Sequence, residues 1–347
     1  MAEIILHAGM PKTGSTSVQR WLVDNAERLR TDHDLQLLVA TNQTARNPGR
    51  EVHVEAYESG GLNSGLLAYA WAVDGRGPAV PRQFVDEVAA FAAHHQRVLV
   101  TAEAISQFIW RLDDAMLGAL EQLAHAHTVR IAYYVRPQHA ALESWWCEAG
   151  FRQPAAPPAA IAEKANELHY LQTLTGVQER APAVDFAVRP FRADLLDGGS
   201  VVEDFARRFV GVNDDVPDVR ANRALPLGIV NALRHAPDGI FWDGETERYP
   251  RRALKAAVAQ LPYAETDALR RSRLVLQAYC YAEFEAENRE LIKRLAWPAD
   301  GFVPEPDASA GAGLPELAEL DTLWSPAESP FELAQLYEQL ELLLRAS

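Results

Sequence analysis

Hydrophobic residues in the first two thirds of the chain form short compact runs that alternate with longer stretches of helical spacing. The runs predict buried strands at 3–8, 35–40, 97–101, 129–135 and 183–188. Apolar residues at every third or fourth position predict helices at 15–30, 83–94, 113–125, 138–151 and 200–210. This alternation is typical of an α/β fold, a central parallel sheet flanked by helices.

The carboxyl ends of parallel strands meet at one edge of the sheet, where ligands bind. We therefore expect the residues after 8, 101 and 135 to converge on one cleft. The stretches 42–65 and 153–160 are predicted to be loops, the second because its prolines cannot continue a helix.

The last third has a different pattern, in which we find no convincing strand after about residue 220. Residues 264–296 predict a long helix, and 331–345 predict an amphipathic helix with a leucine stripe. We therefore expect a domain at 1–298 with a mostly helical C-terminal part, a Pro/Ala/acid-rich tether at 299–330, and a C-terminal helix at 331–347.

Composition narrows the class of protein. The 347 residues are 48% hydrophobic and carry a net charge of −15, which argues for a folded chain and against non-specific binding to nucleic acid or anionic membrane. Cys147 and Cys280 lack the spacing of a zinc site or a disulfide framework, so no metal is expected. Without a signal-peptide pattern or a long apolar run, we expect a cytoplasmic protein, whose oligomeric state stays open.

The first predicted strand runs into a glycine loop, HAGMPKTGSTS at 7–17, which leads into a helix. Glycines allow tight turns, and the free N–H groups of a helix start favour an anion. Gly9, Gly14 and Thr16 match the nucleoside-triphosphatase pattern G-x-x-x-x-G-K-[ST], but Ser15 takes the lysine position and the lysine is Lys12. A kinase or NTPase would need that lysine in register to reach the β- and γ-phosphates.

A second candidate anion site follows the strand IAYYV. Arg136 ends that strand, and Ser144 lies eight residues later in the next predicted helix. A guanidinium presents a fork of donors to phosphate oxygens, and a serine adds a hydroxyl. Although the chain is acidic, 4–23 and 128–142 contain no acid, which favours a ligand with two phosphates.

The string MPKTGSTS, with Arg136 and Ser144 at this spacing, resembles the sulfotransferases that use 3′-phosphoadenosine 5′-phosphosulfate (PAPS), especially the bacterial and carbohydrate types. The likeness covers roughly 3–300 and includes VRPF at 188–191, DF at 204–205 and NRAL at 222–225. It implies a P-loop-like three-layer fold and sulfuryl transfer from PAPS to a hydroxyl or amine. The product nucleotide would be 3′-phosphoadenosine 5′-phosphate (PAP).

The resemblance also implies roles for particular residues. Lys12 would stabilise charge on the leaving phosphate, Arg136 and Ser144 would bind the 3′-phosphate, and the 5′-phosphate would be held by Thr13, Gly14, Ser15 and Thr16. Ser17 stands where many cytosolic members have a tryptophan that stacks on adenine. The late R-K-G loop of those members is missing, and the candidate substitutes are Arg251, Arg252, Arg270, Arg271 and Arg273.

Two residues are candidates for the base that accepts the acceptor's proton. Glu103 follows the strand RVLVT and is the first choice for this catalytic base. The alternative is that its carboxylate caps the next helix or pairs with a nearby basic side chain. His53, between Glu51 and Glu55, is the second choice, unless it is a solvated loop histidine. The acceptor, a small molecule or a carbohydrate, is not identified. The alternatives are a P-loop kinase or NTPase and a non-catalytic PAP-binding protein of the same fold.

Overall fold

The computed structural model describes residues 1–10, 12–41, 53–56, 79–102, 105–148, 150, 155–213, 216, 225–236, 241–243, 246–247, 251–261, 265–298, 302, 316–325, 329 and 332–345. The chain divides into two compact units. The first unit comprises Met1–Pro137, Glu167–Asn222 and Glu290–Trp297. The second unit comprises Gln138–Asn166, Arg223–Arg289 and Pro298–Ser347.

A six-stranded sheet forms the centre of the first unit. Its strands are β1 (Glu3–His7), β2 (Leu35–Thr41), β3 (His53–Ala56), β4 (Arg97–Thr101), β5 (Thr128–Val135) and β6 (Asp185–Pro190). The strand order is β3-β2-β4-β1-β5-β6. Five strands are parallel, and β3 pairs antiparallel with β2 at the edge. The α/β prediction is confirmed, but the predicted loop at 42–65 was wrong where it includes β3.

Helices pack on both faces of this sheet. One face carries α1 (Ser15–Asp24), α2 (Ala26–His33) and α9 (Val201–Phe205), which pack around Ile5, Leu99 and Tyr134. The other helices of the first unit are α3 (Ala79–Ala92), α4 (Ile105–Trp110), α5 (Asp114–Ala126) and α8 (Tyr170–Arg180). A wide π-helical turn at Ala206–Val210 extends α9. The helix predicted at 15–30 breaks at Asn25.

The strand register explains where ligand-binding groups can gather. His7, the last residue of β1, pairs with Thr101 of β4 on one side and with Ala132 of β5 on the other. The glycine loop, residue 102 and Arg136 therefore leave the sheet at the same edge, as the sequence pattern predicted.

The second unit is mostly helical. It contains α6 (Gln138–Trp146), α7 (Pro157–Ala165), α10 (Leu227–Arg234), α11 (Arg251–Val258), α13 (Leu320–Leu323) and α14 (Leu333–Arg345). The long helix α12 (Asp267–Leu295) ends in residues assigned to the first unit. In the core of the second unit, Trp146 and Trp324 stack at 4.7 Å between ring centroids.

Three predictions for this region were wrong in part. The loop at 153–160 ends at Pro157, because proline is tolerated in the first turn of a helix and here begins α7. Residues 316–325 of the predicted tether form two short helical turns and bury Leu320 and Trp324. A two-stranded hairpin, β7 (Trp242–Asp243) and β8 (Thr246–Glu247), lies after residue 220.

The C-terminal amphipathic helix is present as α14. Leu336 and Leu340 of its predicted stripe are buried, together with Tyr337 and Leu344. Within the described ranges, no helix is both long enough and apolar enough to cross a membrane.

Candidate functional site

The glycine loop folds around the carbonyl of Met10. Thr13 donates to that oxygen from its backbone N–H at 3.2 Å and from its hydroxyl at 2.6 Å, and the Ser15 hydroxyl donates to it at 3.4 Å. Lys12 has a φ of 72° and Gly14 a φ of 78°, both left-handed. This conformation is natural for glycine and costs a lysine roughly 1–2 kcal/mol. The loop therefore holds Lys12 in a strained backbone conformation immediately before α1.

The start of α1 has neither a side-chain cap nor an acid in its first turn. The first N–H groups of a helix have no intrahelical carbonyl, and they form its positive end. Gly14 precedes the helix and has no side chain with which to cap these groups, and the first turn contains no acid. Ser15 and Ser17 are buried, whereas Thr16 is exposed. The predicted 5′-phosphate residues thus surround one helix N-terminus.

Both glycines of the loop are required by close packing. A Cβ added to Gly14 would lie 2.7 Å from Cγ1 of Val201, and one added to Gly9 would lie 2.6 Å from the Ser15 hydroxyl oxygen. Neither position has room for a side chain, because real Cβ atoms do not approach other atoms this closely. The loop is packed tightly against the residues behind it.

His7, the last residue of β1, begins the glycine loop. Its side chain is almost fully buried, its Nδ1 hydrogen-bonds with the Thr101 hydroxyl at 3.0 Å, and its ring meets Phe205 edge-on at 4.9 Å. Burial lowers the pKa of His7 to about 3, so the imidazole is neutral near pH 7. This hydrogen bond joins the ends of β1 and β4.

Arg136 reaches the glycine loop from β5. Its Nη1 donates to the carbonyl oxygen of Lys12 at 3.3 Å, and its guanidinium carbon lies 5.8 Å from the ring centroid of Phe191. The hydroxyl of Tyr170 donates to the Arg136 carbonyl at 2.8 Å, which fixes its backbone. The structure thus brings together two predicted anion-binding elements that are 124 residues apart in sequence.

Three other predicted site residues are Ser144, His53 and Glu103. Ser144 is buried on α6, in the second unit. His53 begins β3, where its backbone pairs with Thr41 at the edge of the sheet. Glu103 lies outside the described residues. The base therefore stays a prediction.

The arginines proposed to replace the R-K-G loop are largely engaged with carboxylates. Arg270 pairs with Asp267, and Arg271 pairs with Glu319 at 3.1 Å. Nε of Arg273 donates to both carboxylate oxygens of Glu143, each at 3.0 Å. Arg251 and Arg252 form the first turn of α11. An anion would have to compete with these carboxylates for Arg270, Arg271 or Arg273.

Sequence reasoning missed a buried charged cluster beside the loop. Asp204 is fully buried and accepts hydrogen bonds from the Tyr134 hydroxyl at 2.7 Å, Nη2 of Arg189 at 2.6 Å and Nε of Arg208 at 3.0 Å. Burial alone would raise the pKa of Asp204, but the bonds from Arg189 and Tyr134 outweigh it and lower that pKa. The strings VRPF and DF contain two members of the cluster, but nothing in them indicates the pairing.

Comparison with protein-family models, curated proteins and solved structures found no match to this chain. The function of the site must therefore be inferred from the glycine loop, the start of α1 and Arg136.

Proposed function

We propose that this chain is a PAPS-dependent sulfotransferase with a P-loop-like fold. The observation that carries the proposal is the hydrogen bond from Arg136 to the carbonyl of Lys12. It places a guanidinium next to a helix start that can hold a second anion, and a nucleotide with phosphates at both the 5′ and 3′ positions fits such a pair of sites. The loop sequence, with its lysine at Lys12 rather than in the triphosphatase position, favours PAPS over ATP.

Each group of the site has a role in this reaction. An oxygen or nitrogen of the acceptor attacks the sulfur, the bond from sulfur to the bridging oxygen breaks, and negative charge develops on the phosphate that leaves. The N–H groups at the start of α1 and the hydroxyls of Ser15 and Thr16 would hold that phosphate, and the Lys12 ammonium would stabilise its new charge. Arg136 would bind the 3′-phosphate.

The proton of the acceptor needs a base. Glu103 remains the first candidate because it follows β4. The last residue of β4, Thr101, hydrogen-bonds with His7 at the start of the glycine loop. His53 is the second candidate. The acceptor is a hydroxyl or amine of a small molecule or a carbohydrate.

Calorimetric titration with PAP tests the proposal. We expect micromolar binding by the natural protein and a roughly 10- to 100-fold loss in Arg136→Ala, the range for a charged hydrogen bond to phosphate. Lys12→Ala should weaken binding as well. Arg130→Ala is the matched control, because Arg130 lies on β5, the strand that Arg136 follows, and pairs with Asp185 at 2.6 Å. This variant should bind PAP normally.

Two results would contradict the proposal: no binding of PAP, or a preference for ATP with Mg²⁺, which would favour a kinase or NTPase. Where PAP binds, labelled PAPS and a broad panel of acceptors separate an enzyme from a non-catalytic PAP-binding protein. An enzyme transfers the label to at least one acceptor.

A further inference from the structure

Phe191 is fixed beside Arg136 by the backbone of the sheet. It follows β6 directly, and its N–H donates to the carbonyl of Val135 at 2.7 Å. The β5–β6 pairing therefore continues one residue beyond the strand. This places Phe191 across from the end of β5, where Arg136 begins.

The ring of Phe191 touches both anion-binding elements. A Cβ built on Gly14 would lie 3.2 Å from Cε2 of Phe191 and 3.6 Å from its Cζ, so the ring edge packs against the residue before α1. The Arg136 guanidinium carbon lies 5.8 Å from the ring centroid, within the range of a cation–π contact. The hydrogen bond from Arg136 to the Lys12 carbonyl adds a third contact, so Phe191, Arg136 and the glycine loop each contact the other two.

The segment that carries Phe191 is itself anchored. Two residues earlier, Arg189 binds Asp204 through Nη2 at 2.6 Å and Nε at 3.3 Å, and it also donates to the carbonyl of Leu195 at 3.2 Å. Val201, in the helix that contains Asp204, also packs against Gly14. Phe191 is therefore held by groups that do not belong to the loop or to Arg136.

From these contacts we infer that Phe191 is a positioning residue that keeps the start of α1 and the Arg136 guanidinium at a fixed separation. The inference rests on the proposed function, in which the 5′-phosphate occupies the start of α1 and the 3′-phosphate meets Arg136. A ligand with both phosphates benefits from a fixed separation, whereas a ligand with one phosphate does not. Phe191 thus sets the preference for the bisphosphate without touching it.

The test compares the affinities of PAP and adenosine 5′-monophosphate (AMP), which lacks the 3′-phosphate. We expect Phe191→Leu to reduce the ratio of the two affinities by roughly three- to tenfold, the range that an arginine–aromatic contact supports. Phe186→Leu is the matched control. Phe186 lies on β6, the strand that Phe191 follows, and packs on Tyr133 at 5.1 Å between ring centroids, so its replacement should lower stability but keep the natural ratio.

An unchanged ratio in Phe191→Leu, or an equal fall in Phe186→Leu, would overturn the inference. A second measurement needs no nucleotide: the urea midpoints of Phe191→Leu, Arg136→Ala and the double variant. We expect non-additive midpoints, because either change alone removes the shared contact, and additive midpoints would contradict the inference. If the natural protein does not bind PAP, the proposed function fails, while these midpoints still decide whether Phe191 holds Arg136.

Discussion

Two helices of the first unit, α1 and α5, begin in opposite ways. Before α5, the carboxylate of Asp113 accepts a hydrogen bond from the N–H of Met116 at 2.8 Å, and Asp114 adds a second acid to the first turn. Before α1, Gly14 has no side chain, and the first turn contains no acid. The positive end of α5 is neutralised by the chain itself, so it needs no ligand. The start of α1 has no such acid in its first turn, and the proposed phosphate would take that place.

The residues before the two helices extend this contrast. Leu112 and Lys12 both have left-handed backbones, with φ of 52° and 72°. Leu112 packs tightly on α8, since a Cβ at Gly176 would lie 2.5 Å from its Cδ1. That packing offsets the strain at Leu112, whereas the strain at Lys12 lies in the loop of the proposed phosphate site. We expect strain of this kind at functional sites.

The largest expected effect concerns His7, which begins the glycine loop that leads into α1. Burial holds the pKa of His7 in the folded protein at about 3, below the 6.5 of an unperturbed histidine, so the stability that the neutral imidazole contributes is complete above pH 6.5 and is lost as the pH falls toward 3. At pH 4 the loss should be about 3 kcal/mol. Urea unfolding at pH 7 and pH 4 measures it, and His7→Asn should lose less stability than the natural protein between these pH values.

The control for this prediction is His94→Gln, because His94 is exposed at the end of α3. It should keep the full pH dependence of the natural protein. If His7→Asn kept it too, the buried imidazole would not be the source of the acid sensitivity.

The second prediction makes the start of α1 resemble that of α5. Thr16 is exposed in the first turn, so Thr16→Asp adds a carboxylate there without a packing cost. Such a carboxylate should stabilise the helix by about 0.3–1 kcal/mol. It should weaken PAP binding roughly hundredfold, because like charges in contact cost several kcal/mol. The PAP affinity measured by calorimetry should therefore fall, while the stability measured by urea unfolding should rise.

Two variants complete this comparison. Thr16→Asn has the same shape without the charge and should bind PAP far better than Thr16→Asp. Asp113→Ala removes the cap of α5 and should cost about 1 kcal/mol of stability with no change in PAP affinity. Equal affinities of Thr16→Asp and Thr16→Asn would show that no anion binds at the start of α1.

The parts of the fold that could be predicted are those encoded locally. The five parallel strands are compact apolar runs, and the glycine loop is a contiguous string, so both were visible in the sequence. The edge strand β3 reads HVEA, which lacks such a run, and its pairing with β2 depends on contacts elsewhere in the chain. Pro157 was misread because a proline that forbids a helix interior is well suited to its first turn.

The same distinction, between local sequence signals and distant contacts, applies to the residues of the candidate site. Arg136 was found from its place after a strand, and the common edge of parallel strands then brought it to the loop. The cluster around Asp204 was missed because Tyr134 is 70 residues away in sequence, and only tertiary packing brings them together. The contact of Phe191 with Gly14 was missed for the same reason.

The smallest expected effect comes from two variants that distinguish the role of the Lys12 backbone from the role of its ammonium. Lys12→Ala keeps the left-handed strain and Lys12→Gly relieves it, so the glycine variant should be about 1 kcal/mol more stable in urea unfolding. Both variants lack the ammonium and should bind PAP equally weakly.

Asp34, which follows α2 with a left-handed φ of 48°, provides the matched pair outside the loop. Asp34→Gly should likewise be more stable than Asp34→Ala, with PAP affinity unchanged in both. If Lys12→Gly recovered PAP binding that Lys12→Ala lost, the loop conformation rather than the ammonium would hold the phosphate. The role of Lys12 at the leaving group would then have to be abandoned, because a glycine has no charge to offer there.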